Sequence, residues 1–254
     1  MMNFFLFILL GICSYSQTFK TQNLQITGGT PALNKVLVSD TYGNVSWQSL
    51  GSLGYAAYEY ITDPTGRVWL DRNLGASRVA QTMSDNLAYG DYYQWGRKAD
   101  GHEKVTWTSN ITASSTNGTS STKTNTPDSK FILTSISDND WRSNKDDNLW
   151  NYGSSNNPCP SGFRVPSKPE LASLQNAYGG MATNSDAFSS PLHLPSSGDR
   201  SISDGTVLNA GQWVALWTST PNGNQMWMYG YTVNYNVTYS FSRAVGLPIR
   251  CTKN

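Results

Sequence analysis

Hard oxygen donors crowd one polar stretch of this chain. Asp138-Asn139-Asp140 and Asp146-Asp147-Asn148 both lie within DNDWRSNKDDNLWNYGSSNNP. Carboxylates and carboxamides at that density are calcium chemistry, so calcium is the one cofactor worth weighing. The histidines are two, His102 in DGHEK and His193 in PLHLP. The first is expected in a solvated loop, the second at a strand edge in a structural role. No Cys/His cluster has metal-ligand spacing. No serine occupies a nucleophile elbow, and no glycine-rich phosphate loop is present. The reading is therefore of a protein that is not an enzyme and has no resident cofactor.

The chemistry the sequence does offer is non-covalent. In QMWMYGYTVNYNVTYSFS, residues 225–242, the aromatic residues Trp227, Tyr229, Tyr231, Tyr235, Tyr239 and Phe241 all fall at odd positions. If Asn234-Tyr235-Asn236 is a three-residue turn, Val233 faces Val237, Tyr231 faces Tyr239, Tyr229 faces Phe241 and Trp227 faces Arg243. Side chains alternate along a strand, so all these pairs would share one side of the ribbon. Its middle, Tyr229, Tyr231 and Val237, reads as core. Tyr235 in the turn, and Trp227 and Arg243 at the far end, read as exposed contacts. Tyrosine among asparagines in a solvated turn is amphipathic and loses little entropy on binding. The candidate ligand-binding set is Asn222, Asn224, Trp227, Asn234, Tyr235, Asn236, Tyr239, Phe241 and Arg243.

The elements that must hold this ribbon belong to a chain of 254 residues with net charge +1 and 14% charged residues. No field exists to draw nucleic acid or acidic lipid. Abundant Ser, Thr, Asn and Gly with nine tryptophans and fourteen tyrosines suit a β-rich exported protein. Phe4 to Cys13 is an apolar run too short to span a bilayer. With Ser14-Tyr15-Ser16 behind it, residues 1–16 read as a signal peptide cleaved before Gln17, although its start carries no Lys or Arg. Cleavage would remove Cys13 and leave Cys159 and Cys251, which pair in an exported chain or stay as buried thiols in a cytoplasmic one.

Residues 17–54 read as a hairpin stalk and linker. Val36-Leu37-Val38 and Val45-Ser46-Trp47 flank the turn residues Ser39 to Asn44, and Gly51 to Gly54 link onward. So small a unit must dock on a neighbour or assemble with copies of itself, which makes the stalk a route to a homo-oligomer. Further on, Arg67 to Leu70 reads as a strand. Leu87, Tyr92 and Trp95 have helix-like spacing interrupted by Gly90. Residues 100–130 read as a long loop, and Trp141, Trp150 and Tyr152 as rings pinning a second loop to the body. VPSKPELASLQNAYGG is a helix with Ser167 as N-cap, Glu170 closing a capping box, Pro169 in the first turn and Gly179-Gly180 at its end. Its Leu171, Leu174 and Tyr178 share one face. WVALWTST then alternates as a strand before Pro221-Asn222-Gly223-Asn224.

NLAYGDYYQWGR, NPCPSGFRVPSKPEL, LHLPSSGDRSISDGT, ALWTSTP and the closing LPIRC, in that order, resemble the Fibrobacter succinogenes major paralogous domain family, over about residues 58–254. That family is similar to the C-type lectin-like superfold, which includes formylglycine-generating enzymes and the variable proteins of diversity-generating retroelements. The resemblance implies an α+β C-type lectin-like domain with irregular long loops over residues 55–254, preceded by the short β-hairpin stalk. It implies a Cys159–Cys251 disulfide, which leaves no cysteine pair for oxidase chemistry. It also implies a variable, ligand-contacting C-terminal ribbon, as in a retroelement target. The carbohydrate-binding tripeptides of calcium-dependent lectins are absent, since Asn156-Asn157-Pro158 lacks their residue order and their partner motif. The expectation is a secreted or cell-surface adhesion module whose partner is a glycan or a surface protein, with neither nucleic acid nor a membrane span. The alternative is a virion component, a phage tail-fibre-like receptor-binding tip of the same fold.

Overall fold

The computed structural model describes residues 35–39, 45–49, 58–135, 137–222, 225–232 and 236–254, with backbone alone described at 35–39, 48–49, 225–229 and 236–237. The expected signal peptide, residues 17–34 of the stalk, the turn at 40–44, the linker Gly51 to Gly54, and Asn224, Val233, Asn234 and Tyr235 lie outside the described residues. The chain divides into two compact units, Met1–Ser49 and Leu50–Asn254. In the first, β1 (Lys35–Ser39) and β2 (Val45–Ser49) form the antiparallel hairpin read from the sequence, with Lys35 opposite Ser49 and Ser39 opposite Val45.

The second unit is a mixed α+β body, rich in short strands and with two α-helices among its described residues. Its strands are β3 (Tyr60–Thr62), β4 (Val68–Leu70), β5 (Tyr93–Gln94), β6 (Val105–Trp107), β7 (Ala113–Ser115), β8 (Thr119–Ser120), β9 (Phe131–Ile132) and β10 (Phe163–Arg164). The helices α1 (Lys168–Ala177) and α2 (Asn184–Ser189) come next. The chain closes with β11 (Asp199–Arg200), β12 (Val207–Leu208), β13 (Val214–Asn222), β14 (Gln225–Tyr231), β15 (Asn236–Phe241), β16 (Gly246–Leu247) and β17 (Thr252–Lys253). Two four-stranded sheets, ordered β10-β17-β4-β3 and β12-β11-β16-β5, stand beside the three-stranded β13-β14-β15. The segment expected to be a long loop holds the β6–β7 hairpin and β8, which pairs in parallel with β9.

Helix α1 forms where the local sequence dictates. Glu170 accepts from the Ser167 backbone N–H at 2.8 Å, and Gly179 and Gly180 take positive φ to close its C-terminus. Leu171 and Leu174 are buried, and the half-buried Tyr178 packs with them. Helix α2 was not expected; its six residues are capped by Thr183 and Asp186. The helical spacing of Leu87, Tyr92 and Trp95 is overturned. Only a 3₁₀ turn forms at Asn86–Ala88, Leu87 is exposed, and Gly90 takes φ +81° and redirects the chain into β5.

Strands of two or three residues supply few ladder hydrogen bonds, so side chains replace them. Arg97, Arg200, Arg243 and Arg250 are all but fully buried. Arg250 donates to the carbonyl oxygens of Leu70, Asp71 and Leu192 and to Asn73 Oδ1. Arg200 donates to the carbonyls of His102 (2.6 Å) and Gly205 (2.9 Å) and to Ser115 Oγ, with its guanidinium 3.9 Å from the Phe131 ring centre. A planar fork of five donors can gather carbonyls from several loops at once. Burial pushes Arg200 and Arg250 down to about 9, so both stay protonated at neutral pH. Indoles act likewise. Trp217 donates to the Tyr93 carbonyl, Trp95 to Thr218 and Trp141 to Trp95, at 2.7–2.9 Å. Trp141 and Trp150 are buried as the loop reading requires, whereas Tyr152 is 76% exposed and pins nothing.

Candidate functional site

The ribbon grows out of a sheet whose two faces enter two cores. Val214, Leu216 and Tyr231 pack with α1 and α2, while Ala215 and Trp217 pack into the tryptophan-rich cluster behind. Past Trp217 the register shifts, and Pro221 rather than Ser219 meets Met226. This bulge docks on the segment leading into α1. Ser219 N–H donates to the Pro166 carbonyl at 2.8 Å, and Thr220 Oγ1 accepts from Lys168 N–H at 2.9 Å. Bulges bend a strand and re-aim its downstream residues, so the ribbon beyond residue 220 is directed by the α1 approach. That approach is itself tied down. Cys159 and Cys251 form a disulfide with Cα atoms 6.0 Å apart, joining it to the last strands.

The register within the ribbon differs from expectation. Tyr231 pairs with Asn236, Tyr229 with Thr238, Trp227 with Ser240 and Met228 with Tyr239, so residues 232–235 form the connection. Odd positions of β14 therefore face even positions of β15. A one-residue change in a hairpin loop reverses every side chain of one strand. The aromatic row does not line one side: Tyr231 is 1% exposed, while Tyr239, on the opposite face, is 46% exposed. Phe241 shares the face of Tyr239 and packs on Trp213, with ring centres 6.1 Å apart. Exposed Pro221 lies in the same cross-strand row as Phe241, and Asn222 is half-buried at the end of β13. Of the remaining candidates, Trp227 and Asn236 have strand positions without described side chains.

Arg243 is a correction. Expected at the exposed rim, it is fully buried at the ribbon's root. Its guanidinium lies 4.9 Å from the Trp95 ring centre, bonds the Asp146 carbonyl at 2.9 Å and the Asp147 carboxylate, and faces Asp140 at 3.7 Å. It is thus no part of a ligand-contacting surface. The acidic loop that suggested calcium is engaged by cations of the chain itself, since Asp138 accepts from Lys123 at 2.6 and 2.8 Å. Burial opposes the ionised form of Asp147, but its hydrogen bond and attraction to Arg243 outweigh this and hold it below the usual carboxylate range.

Comparison of the chain with protein-family models, with curated proteins and with solved structures finds no match.

One cluster was missed in the sequence, although the D-x-H-E spacing of Asp100, His102 and Glu103 could have signalled it. Far from being solvated, His102 is 1% exposed, and ligand atoms of the three residues lie within 4.8 Å of one another. Its Nε2 accepts from the Gln94 N–H at 3.0 Å, which places the ring proton on Nδ1, facing Asp100 at 2.6 Å and Glu103 at 3.3 Å. A metal at Nδ1 would drive that proton to Nε2, against the Gln94 N–H. Desolvation opposes ionisation of Asp100 and Glu103, yet hydrogen bonds from His102 outweigh it and both titrate below their ordinary range. Arg97 adds three further bonds to Asp100. The arrangement is a saturated ion cluster under β5, not a cation cradle. His193, expected at a strand edge, is exposed in a turn at φ +44° against Phe188. A groove of ≈410 Å³ beside α2 includes Asp186, whose carboxylate already accepts from the N–H groups of Ala182 and Thr183. Among the described residues, no helix is long and apolar enough to cross a membrane.

Proposed function

We propose that this chain is an exported, non-catalytic binding module. In this reading residues 55–254 form a C-type lectin-like domain of the major paralogous type, displayed at the cell surface or secreted. It grips a glycan or a surface protein through the C-terminal ribbon. The observation that carries the reading is Tyr239, a large aromatic nearly half exposed on the outer strand of a ribbon whose root is clamped by a disulfide, a bulge and a buried arginine. An exposed aromatic on a rigid support binds with little ordering cost. The buried ionisable groups described above bind carbonyls and each other within the scaffold, which supports binding over turnover. Full-length protein applied to glycan and surface-protein arrays should be captured, and Tyr239→Ala should abolish capture with an unchanged far-UV spectrum. Capture that survives the substitution refutes the assignment of the ribbon, and turnover of a substrate refutes the non-catalytic reading.

A further inference from the structure

Asp91 and Lys104 flank the backbone contact that joins the start of β5 to the approach of β6, where the Tyr92 N–H donates to the Glu103 carbonyl at 3.0 Å. Lys104 Nζ lies 2.7 Å from Asp91 Oδ2 and 4.0 Å from Glu103 Oε1. Both acidic residues are buried, whereas the lysine side chain is half exposed. Their backbones are fixed. The Asp91 N–H donates to the Leu74 carbonyl at 2.9 Å, and the Lys104 carbonyl accepts from the Thr116 N–H at 3.1 Å. A side chain at Gly75, which has φ +83°, would collide with the Asp91 carboxyl, so that group is packed in place. The Tyr58 hydroxyl accepts the Gly75 N–H at 2.8 Å beside it, and buried Tyr93 interacts with the same carboxyl. We propose that Lys104 and Asp91 condense to an intramolecular amide crosslink, with Glu103 relaying the proton.

Reacting groups held in contact by a folded chain have effective concentrations of about 10⁵ M or more, which favours an amide that free amine and acid do not form in water. The resting pair is ionic. Burial, only partly offset by Lys104, pushes the Asp91 carboxyl up to about 6. Burial acts to lower Lys104, but attraction to Asp91 outweighs it and holds the amine above its ordinary range. The attack therefore starts from a minor tautomer, in which the ammonium has passed one proton to Asp91 along the 2.7 Å contact, and the reaction is slow. The amine lone pair then adds to Asp91 Cγ. Glu103, kept ionised by His102, accepts the next proton from the nitrogen and returns it to the departing hydroxyl. The N–Cγ bond forms, a Cγ–O bond breaks, one water leaves on the open side of Lys104, and Glu103 is regenerated. Nothing is oxidised or reduced.

The test is the intact mass of the full-length chain, incubated folded at neutral pH for days and then unfolded and reduced. The mass should fall below that of its own sequence by one water molecule. Trypsin cuts at Arg97 and Lys98, between the two residues, so the digest should contain a branched peptide joining the segment of Asp91 to that of Lys104. Lys104→Arg and Asp91→Ala should keep their full masses. Glu103→Gln should form the crosslink at least about tenfold more slowly. A wild-type chain that keeps its full mass overturns the proposal, and this measurement requires no variant to fold. So does a loss of water that persists in Lys104→Arg, or that maps to a cyclised Asp100-Gly101 rather than to a branched peptide. Crosslinking of Glu103→Gln at the wild-type rate overturns the relay.

Discussion

Removing the disulfide tests the clamp directly. Cys159 and Cys251 are 92 residues apart in sequence, and both are buried. In the chain-entropy treatment a crosslink over that separation restricts the unfolded chain by an amount equivalent to about 4.6 kcal/mol at 25 °C. Domains are stable by roughly 5–15 kcal/mol, so the bridge accounts for a large share of what holds this one folded. Cys159→Ala/Cys251→Ala should therefore lower the unfolding free energy by about 4–5 kcal/mol. For a body of this size the melting temperature should fall by about 10–18 °C. Urea unfolding followed by tryptophan fluorescence measures the change, and reduced wild-type protein, with both thiols verified by mass spectrometry, provides the matched reference. Hydrogen exchange should accelerate first in residues 160–168, which carry the bulge contacts of β13. An unfolding free energy within about 1 kcal/mol of wild type, in the double variant or on full reduction, would refute the reasoning.

Arg243→Leu removes a buried cation and strands Asp140 beside an apolar group. Breaking such a pair costs about 3–5 kcal/mol, and the exposure of Asp147, which can rehydrate, sets the expectation near the lower end; the urea midpoint measures it. Glu170 predicts a pH dependence. Burial raises its carboxyl, but hydrogen bonds from Arg164 and Ser167 prevail and hold it at about 2, below the ordinary 4.5. A folded-state value below the unfolded one gives stability that is complete above about pH 4.5 and lost as pH falls toward 2. With Arg67 and Arg164 partly exposed, that contribution is on the order of 2 kcal/mol. Glu170→Gln should flatten this part of the acid-unfolding curve, and an unaltered curve would exclude the pair as its source.

What the sequence disclosed was local. The α1 cap and stop lie within a few residues of each other, so Ser167, Glu170 and the two glycines announce the helix without reference to the rest of the fold. The β1–β2 hairpin was legible for the same reason. The bridge came from counting cysteines together with the motif resemblance. Ribbon register was not legible, because the alternating pattern in residues 225–242 suits more than one loop length, and one residue more or less exchanges the faces. Arg243 and His102 were misplaced because charged side chains are read as exposed by default. Their burial depends on partners far along the chain, such as Asp147 and Trp95 for Arg243 and the Arg200 that binds the His102 carbonyl. Helix α2 has only six residues, too few for a periodic signal.

The distribution of charge reflects a division of labour between root and ribbon. A body built of two- and three-residue strands must satisfy buried carbonyls with side chains, and the guanidinium is suited to that because one group reaches several loops. Two of these cations also meet acidic partners: the acidic loop at 138–147 packs against Arg243, and Asp100 pairs with Arg97. Buried charge is thereby concentrated in the body outside the ribbon. The ribbon is hydrogen-bonded along its own ladder and requires no such compensation, so its side chains are free of structural ion pairing. A change at an exposed position such as Tyr239 should therefore spare the fold, while a change at Arg243 or Cys251 is felt first by the fold.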